Sequence, residues 1–377
     1  DICGKEVKSP GGMTSHLISH HSIRGGVKHL QYYNHKVVAI RRTSRLEKTY
    51  CLTVPKYENF AIAAGVFVHN CRMRLSIFAI TDSDGPWHPS FRQVLIEQTR
   101  FGMGAMFKPG DIGGLSEHPV LVDEHWDMDQ DMKQLREKAV YQLGTSGGGN
   151  HFVEWGIVTI KTPSLHAFFN PGDRYLALLS HSGSRGIGAK IADKYSKLAM
   201  KMHPRLDNSV KHLAWFDIDS EEGQKYWIAM NLAGRFAQAN HEVIHERIAK
   251  VMGIGNPITS IENHHNFCWI EGVELNNGEM KQLYVHRKGA TPAGDGVLGV
   301  IPGSMATPGY VVRGKGVAAS INSASHGAGR AMSRTKAIQT LDMKQWKTQL
   351  LEANVDLIGG SLDEATAAYK DITSVMA

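Results

Sequence analysis

Hydrophobic residues recur at helical spacing in two long stretches of the chain. In residues 184–202 they follow a period near 3.6, which predicts an amphipathic helix that follows a glycine-containing loop: Ile187, Ile191, Leu198 and Met202. A longer helix is predicted over residues 221–252, where Gly253 is the stop signal. Short apolar runs between the helices, YLALLS, QLYVH and GYVVRG, predict strands. We therefore expect an α+β (mixed α/β) fold.

The first seventy residues differ from the rest in charge. The formal net charge is +6, and residues 1–70 hold ten Lys and Arg residues against four Asp and Glu residues. The rest of the chain is therefore electrically balanced, and its overall charge gives no argument for nucleic-acid binding. No apolar run is long enough to span a membrane, and four scattered cysteines indicate a reducing, cytoplasmic compartment.

The start of the chain has part of a zinc-finger pattern. Cys3, His16 and His20 have the spacing of the last three ligands of a Cys2His2 finger, whose first cysteine would precede Asp1. The alternative is a His-rich loop with one stray cysteine. We expect a partial finger over residues 1–21 with Zn2+ as its metal, of the kind that binds nucleic acid.

Residues 22–70 are expected to form a β-rich segment that ends in a reactive tripeptide. The stretch TYCLTVPKYENFAIAAGVFVHNC resembles the C-terminal splicing segment of inteins. Asn70 can cyclise and cleave the chain, His69 can assist the departing amine, and Cys71 can receive the upstream segment as a thioester. Inteins usually have His where this chain has Glu58, and the N-terminal splicing blocks are absent. We expect cleavage after Asn70 at most.

Six segments rich in Gly, His and Arg carry the chemistry of residues 71–377. Glycines let backbone amides approach phosphate, and His, Arg and a helix N-terminus suit metal ions and anions. One histidine in such a loop is usually structural, but core packing does not explain six such loops. They predict a metal and phosphate site in one body: LGTSGGGNHFVEWG, SHSGSRGIG, ENHHNF, VHRKGATPA, IPGSMATPGYVV and SASHGAGRAMSR.

The order and spacing of these motifs resemble the RtcB family of RNA-splicing ligases over essentially all of residues 71–377. The resemblance implies an enzyme of tRNA splicing or RNA repair that uses GTP and Mn2+. It would join RNA ending in a 3′-phosphate or 2′,3′-cyclic phosphate to RNA with a 5′-hydroxyl. An archease activator is a further partner that the family suggests.

The same resemblance assigns roles to individual residues. It implies Mn2+ ligands at Cys71, His151, His181 and His265, two ions being expected in the complete protein. It makes His326 the nucleophile that is guanylylated by GTP. The remaining contacts to the nucleotide and its phosphates would come from these residues: Asn150, Glu154, Arg185, Ser304, Gly327, Arg330 and Tyr369.

Two departures from the family pattern limit the activity that we expect. The metal-binding aspartate of the family lies three residues before its cysteine, where this chain has Val68. The nucleotide-binding lysine near the family's C-terminus has no counterpart before Ala377. We therefore expect a recognisable site in a chain that is shortened at both ends and nearly inactive.

Two other functions fit isolated features. His241-Glu242-Val243-Ile244-His245 matches the HExxH signature of zinc proteases, although the ordinary expectation for its histidines is partial exposure on a helix. The finger remnant and the basic first seventy residues would suit a non-enzymatic nucleic-acid binding module. Neither alternative explains the glycine-rich segments.

Overall fold

The computed structural model describes most of the chain after residue 70. The predicted finger remnant and the predicted intein segment lie outside the described residues, so both stay predictions. The described ranges are 71–81, 89–162, 169–208, 210–275 and 278–376.

Helices and strands are mixed along the described residues, as the sequence predicts. In chain order the elements are β1 (Cys71–Thr81), α1 (Pro89–Gln98), α2 (Gln130–Gln142), β2 (Phe152–Thr159), β3 (Arg174–Gly183), α3 (Arg185–Met202), α4 (Glu221–Met252), β4 (Thr259–His264), β5 (Asn266–Glu274), β6 (Met280–Lys288), β7 (Ala290–Pro292), β8 (Leu298–Ile301), β9 (Tyr310–Arg313), β10 (Ser323–Ser325), α5 (Arg334–Thr340), α6 (Met343–Glu352) and α7 (Ile372–Met376).

The largest sheet is antiparallel and has the strand order β2-β3-β1-β4. Its strands alternate between two buried faces. On β1, Met73, Leu75 and Ile77 pack against β8 on one face, while Phe78 packs against α1 and α4 on the other. The remaining strands form three two-stranded pairs: β5 with β6, β7 with β10, and β8 with β9.

Both long helices that the hydrophobic pattern predicts are confirmed. The longer one, α4, begins after Ser220, whose side chain accepts a hydrogen bond from the Gly223 amide, and ends at Gly253 with φ 65°. Gly253 is suited to this position because a left-handed cap costs a residue without a Cβ little. The predicted strands at YLALLS, QLYVH and GYVVRG are also confirmed, as β3, β6 and β9.

Three helices form the main core. α2, α3 and α4 bury a shared apolar cluster that includes Leu135, Ile191, Tyr195 and Phe236. Among the residues that the structure describes, no helix combines the length and apolar composition that crossing a membrane requires. The sheet and its helices form a packed body. The start of β1 lies beside the ends of β3 and β4 at one edge of the sheet.

Candidate metal and nucleotide site

Three side chains from the ends of three strands meet at this edge of the sheet. Cys71 begins β1, His181 lies near the end of β3, and His265 follows β4. One donor atom from each residue lies within 4.8 Å of the other two. Nε2 of His181 is 3.0 Å from Nε2 of His265. A thiol and two imidazoles at these distances are compatible with binding a metal ion.

His151 joins this cluster from the glycine-rich segment before β2. Its Nε2 lies 3.9 Å from Sγ of Cys71, and its ring packs edge-on against His181 with centroids 5.4 Å apart. The structure thus brings together all four residues that the sequence resemblance marks as metal ligands. They are up to 194 positions apart in the chain, from Cys71 to His265.

Burial keeps the cluster neutral. It lowers the pKa of His151 to about 4 and that of His181 to about 3, and it lowers the pKa of His265 well below the ordinary value. Desolvation raises the pKa of Cys71 to about 11 against the opposing charges of Lys288 and Arg185. Neutral imidazoles are the form that binds a metal ion, and a bound cation would favour the thiolate.

Backbone carbonyls fix the orientation of two of these rings. A backbone hydrogen bond to Asn150 opposes part of the lowering of the His181 pKa, and Nε2 of this ring faces His265. A similar bond joins His151 to the backbone of Ser146. Backbone hydrogen bonds of this kind hold a histidine ring in the orientation that a metal ligand needs.

His326 stands beside the metal-ligand candidates. Its ring centroid lies 5.1 Å from that of His265, and burial lowers its pKa. A backbone hydrogen bond to Gly289 acts on the ring, and Nδ1 is on the Gly289 side. Nδ1 therefore donates to the carbonyl of Gly289, which leaves the lone pair on Nε2. Gly289 has φ 71°, and a Cβ there would contact the His326 ring.

Arg185 closes the site on the glycine-rich side. Its Nε donates to Oγ1 of Thr145 at 2.9 Å, and its Nη1 lies 3.5 Å from Nδ1 of His151. Gly147 has φ 116°, and a Cβ there would overlap Arg185 and stand 2.6 Å from Nδ1 of His151. Glycine is therefore required at Gly147 by both backbone conformation and space.

Asn150 and Glu154 lie on the open side of the same segment. Both residues are exposed, and the register of β2 and β3 puts Glu154 opposite Leu179, on the face that carries His181. Desolvation by the surrounding protein raises the pKa of Glu154 to about 7.

Ser304 and Gly327 lie on adjacent segments. A Cβ at Gly327 would stand 3.3 Å from the carbonyl oxygen of Pro302, and the next amide, of Ala328, donates to that carbonyl at 3.1 Å. The Ser304 hydroxyl is 2.9 Å from that of Thr307. The IPGSM segment therefore packs along the segment that carries His326.

Arg330, which the resemblance makes a phosphate contact, lies in a segment before α5 that is not helical. Its guanidinium lies 5.1 Å from the ring of Tyr369 and donates to the carbonyls of Met332 and Asp363. The hydroxyl of Tyr369 donates to Glu364. Arg330 thus positions Tyr369 and the C-terminal segment.

Arg334 and Lys288 lie near the site, although neither was predicted to have a role. Nη1 of Arg334 bonds Asp363 and Glu364 at 2.6 Å each, and it lies close to Gly149 in the glycine-rich segment. The charge of Lys288, at the end of β6, acts on Cys71. Lys288 belongs to the VHRKGATPA motif and Arg334 to the SASHGAGRAMSR motif, but only the tertiary contacts show that both lie near the site.

The HExxH segment is not a zinc site. His241 and His245 are buried, which corrects the expectation of partial exposure. The Ser180 hydroxyl lies between them, 2.5 Å from Nδ1 of His241 and 2.7 Å from Nε2 of His245, so it occupies the place a metal ion would need. Nδ1 of His245 is 2.8 Å from the Ser76 hydroxyl. These histidines tie α4 to the sheet, because buried polar groups need partners.

The chain is similar to known proteins over most of its length. A family model described as tRNA-splicing ligase RtcB matches residues 90–377. The chain is similar to the RNA-splicing ligase RtcB of Escherichia coli strain K12, with 32% identity over 337 residues that cover 84% of this chain and 78% of that protein. It is similar to the tRNA-splicing ligase RtcB of Methanococcus maripaludis, with 29% identity over 365 residues, 81% of this chain and 75% of that protein.

A further relative is longer. The tRNA-splicing ligase RtcB of Pyrococcus abyssi is 28% identical over 409 residues, which cover 90% of this chain and 43% of that protein. The extent of the family match and the identity to the Escherichia coli protein are sufficient to assign the chain. It belongs to the RtcB family of tRNA-splicing ligases.

Proposed function

We propose that this ligase uses GTP and Mn2+ to join RNA ending in a 3′-phosphate or 2′,3′-cyclic phosphate to RNA with a 5′-hydroxyl, through a histidine–GMP intermediate on His326. The observation that carries the proposal is the position of His326, 5.1 Å from the His265 ring and next to the Cys71–His181–His265 cluster. A nucleophile needs to stand beside the groups that hold the triphosphate.

Cys71, His151, His181 and His265 are the proposed metal ligands. The donor set supports this assignment because Nε2 of His181 and Nε2 of His265 face each other across 3.0 Å with both rings neutral. Imidazole and thiolate donors suit Zn2+ as well as Mn2+, so the family resemblance names the ion. A divalent metal there would neutralise negative charge on the triphosphate.

His326 has the features of a nitrogen nucleophile. With Nδ1 held by the carbonyl of Gly289, the lone pair on Nε2 would attack the α-phosphorus of GTP. The new N–P bond forms as the bond to the bridging oxygen breaks and pyrophosphate leaves. The lowered pKa of His326 keeps the ring neutral, which is the form that can attack.

The residues around His326 are the proposed contacts to the nucleotide. Arg185 would hold a phosphate oxygen beside His151, and Asn150 and Glu154 would bind the nucleotide from the open side of β2. Ser304 and Gly327 would border it along the IPGSM segment. Arg330 would act by holding Tyr369, which would pack on the guanine.

We also propose that residues 22–70 are the C-terminal segment of an intein, with His69, Asn70 and Cys71 at the splice junction. The 23-residue resemblance in the sequence supports this assignment. RNA ends are the proposed partners of the ligase body, with an archease as the activator that the family suggests.

The experiment is an intact mass measurement after incubation with GTP and Mn2+. A gain of one GMP, absent from His326→Ala, is the expected result. A second version that carries the family's upstream aspartate and C-terminal lysine is measured in parallel. If neither version forms a GMP adduct, the proposed mechanism is wrong.

A further inference from the structure

A loop beside the candidate site exposes three large apolar side chains. Met103 is 94% exposed, Met106 50% and Phe101 41%. Gly102 and Gly104 have φ values of 104° and 71°, and a Cβ at either would meet nothing within 4 Å. Side chains this large stand in water only at a thermodynamic cost, so a group of three marks a contact surface.

The loop is joined directly to the glycine-rich segment of the site. The Gly102 amide donates to the carbonyl of Gly147 at 2.7 Å, and Arg185 donates to the carbonyl of Gly102 at 3.4 Å. A Cβ at Gly148 would stand 3.1 Å from the Met103 amide nitrogen. The apolar loop is therefore continuous with the segment that positions His151.

Positive charge lies at the base of the loop. The guanidinium groups of Arg100 and Arg247 lie 4.8 Å and 4.5 Å from the ring centroid of Phe107. Arg100 pairs with Asp111 at 3.2 Å, and Arg247 donates to the backbone of the same residue. Lys108 is exposed next to them. Three cations, Arg100, Lys108 and Arg247, therefore lie near the loop, and the Asp111 carboxylate pairs with Arg100.

We infer that residues 101–106 form a docking platform for unpaired bases of the RNA end that is delivered to the site, an inference that rests on the proposed function. Single-stranded RNA is bound by surfaces that combine side chains for the flat faces of bases with cations for the phosphates. Met103 and Phe101 provide the side chains that contact the bases. Arg100, Lys108 and Arg247 provide the cations that bind the phosphates. A methionine contact with an aromatic ring is sulfur-mediated and adapts to any base.

The test is the affinity for a fluorescently labelled single-stranded RNA of about ten nucleotides with a 2′,3′-cyclic phosphate end. Fluorescence anisotropy is measured on the full chain at about 0.15 M salt, which limits binding by charge alone. Met103→Ala is expected to raise the Kd roughly two- to tenfold. Met103→Trp should restore or tighten binding, because an aromatic ring stacks on a base at least as well.

Met280→Ala is the matched control. Met280 is 64% exposed and lies at the end of the β5–β6 hairpin opposite to Asn266 and Lys288, away from the site. Its loss should leave the Kd unchanged. Because Met103 is almost fully exposed, Met103→Ala is expected to fold normally, which circular dichroism checks.

Two results would overturn the inference. One is an RNA affinity of Met103→Ala equal to that of wild type. If Met103→Ala then also loses binding to anionic phospholipid vesicles, the loop is a membrane contact. The other is equal weakening of RNA binding by Met280→Ala. Failure of the proposed function is recognised separately, because it removes the GMP adduct from the wild type whatever Met103 does.

Discussion

Nε2 of His181 and Nε2 of His265 face each other across 3.0 Å, although the residues are 84 positions apart in the chain. Both rings are buried, and burial lowers the pKa of each, so both are neutral. Two lone-pair nitrogens at this distance repel each other unless a proton or a cation lies between them. The pair therefore provides a direct test of metal binding.

Removal of one partner of this pair is expected to weaken metal binding. His265→Ala should lower the affinity for Mn2+ at least about tenfold, as measured by isothermal titration calorimetry. The same concentration of Mn2+ should raise the melting temperature of the wild type more than that of His265→Ala, since stabilisation by a ligand grows with its affinity. His125→Ala, at a half-exposed histidine outside the cluster, is the control. Equal stabilisation of His265→Ala by Mn2+ would contradict the assignment.

The choice of His326 as nucleophile is tested against His286, the histidine of the VHRKGATPA motif. In a chain that carries the family's aspartate and lysine, wild type should form a GMP adduct that is stable to base and labile to acid, as a phosphoramidate is. His326→Ala should form none, while His286→Ala should retain some, because His286 lies on β6 opposite Cys268. An adduct on His326→Ala together with its loss from His286→Ala would show that the wrong histidine was chosen.

A methyl group at Gly147 should disturb the site by displacing the ring of His151, a proposed metal ligand. Gly147→Ala places a Cβ 2.6 Å from Nδ1 of His151 at φ 116°. We expect a loss of about 1–3 kcal/mol in the free energy of unfolding and roughly tenfold weaker Mn2+ binding. Gly156→Ala is the control, because a Cβ there meets nothing within 4 Å. Unchanged metal affinity in Gly147→Ala would contradict the described packing.

Acid should destabilise the fold partly through His245. Burial lowers its pKa well below the ordinary value, so the unfolded chain takes up a proton below about pH 6.5 while the folded chain does not. The free energy of unfolding should therefore fall as the pH decreases below about 6.5, by up to about 1.4 kcal/mol per pH unit for this group. His245→Gln should show a smaller pH dependence in urea denaturation.

His245→Gln should also be less stable at neutral pH, by about 1–3 kcal/mol, because the hydroxyls of Ser76 and Ser180 lose a partner. His212→Gln, at an exposed position, is the control and should leave the free energy of unfolding at neutral pH unchanged. A His245→Gln variant with the wild-type pH dependence would exclude His245 as the titrating group.

Cleavage at the proposed splice junction depends on Asn70. Asn70→Ala should abolish cleavage before Cys71, because no side-chain amide remains to form the succinimide. Glu58→His should accelerate cleavage if Glu58 is the reason for slow cyclisation. The products are separated by gel electrophoresis and identified by mass. Cleavage that continues at an unchanged rate in Asn70→Ala would remove the proposed mechanism.

The sequence by itself determined the elements whose signals are local. The period of Ile187, Ile191 and Leu198 and the stop at Gly253 depend on neighbours within a few residues, and α3 and α4 follow them closely. The motif order was sufficient for the family resemblance, and it named all four residues of the cysteine–histidine cluster. Those assignments rest on identity and order, which are properties of the chain.

Only the tertiary structure decided what surrounds each side chain. The exposure expected for His241 and His245 was wrong, because a helix of 32 residues packs against β1 and β3, and Ser180 comes from β3, 61 positions away from His241. Arg330 contacts Tyr369 and Asp363, which lie more than thirty positions away in the chain. Burial and hydrogen-bond partners depend on contacts between distant segments, and no local pattern encodes those contacts.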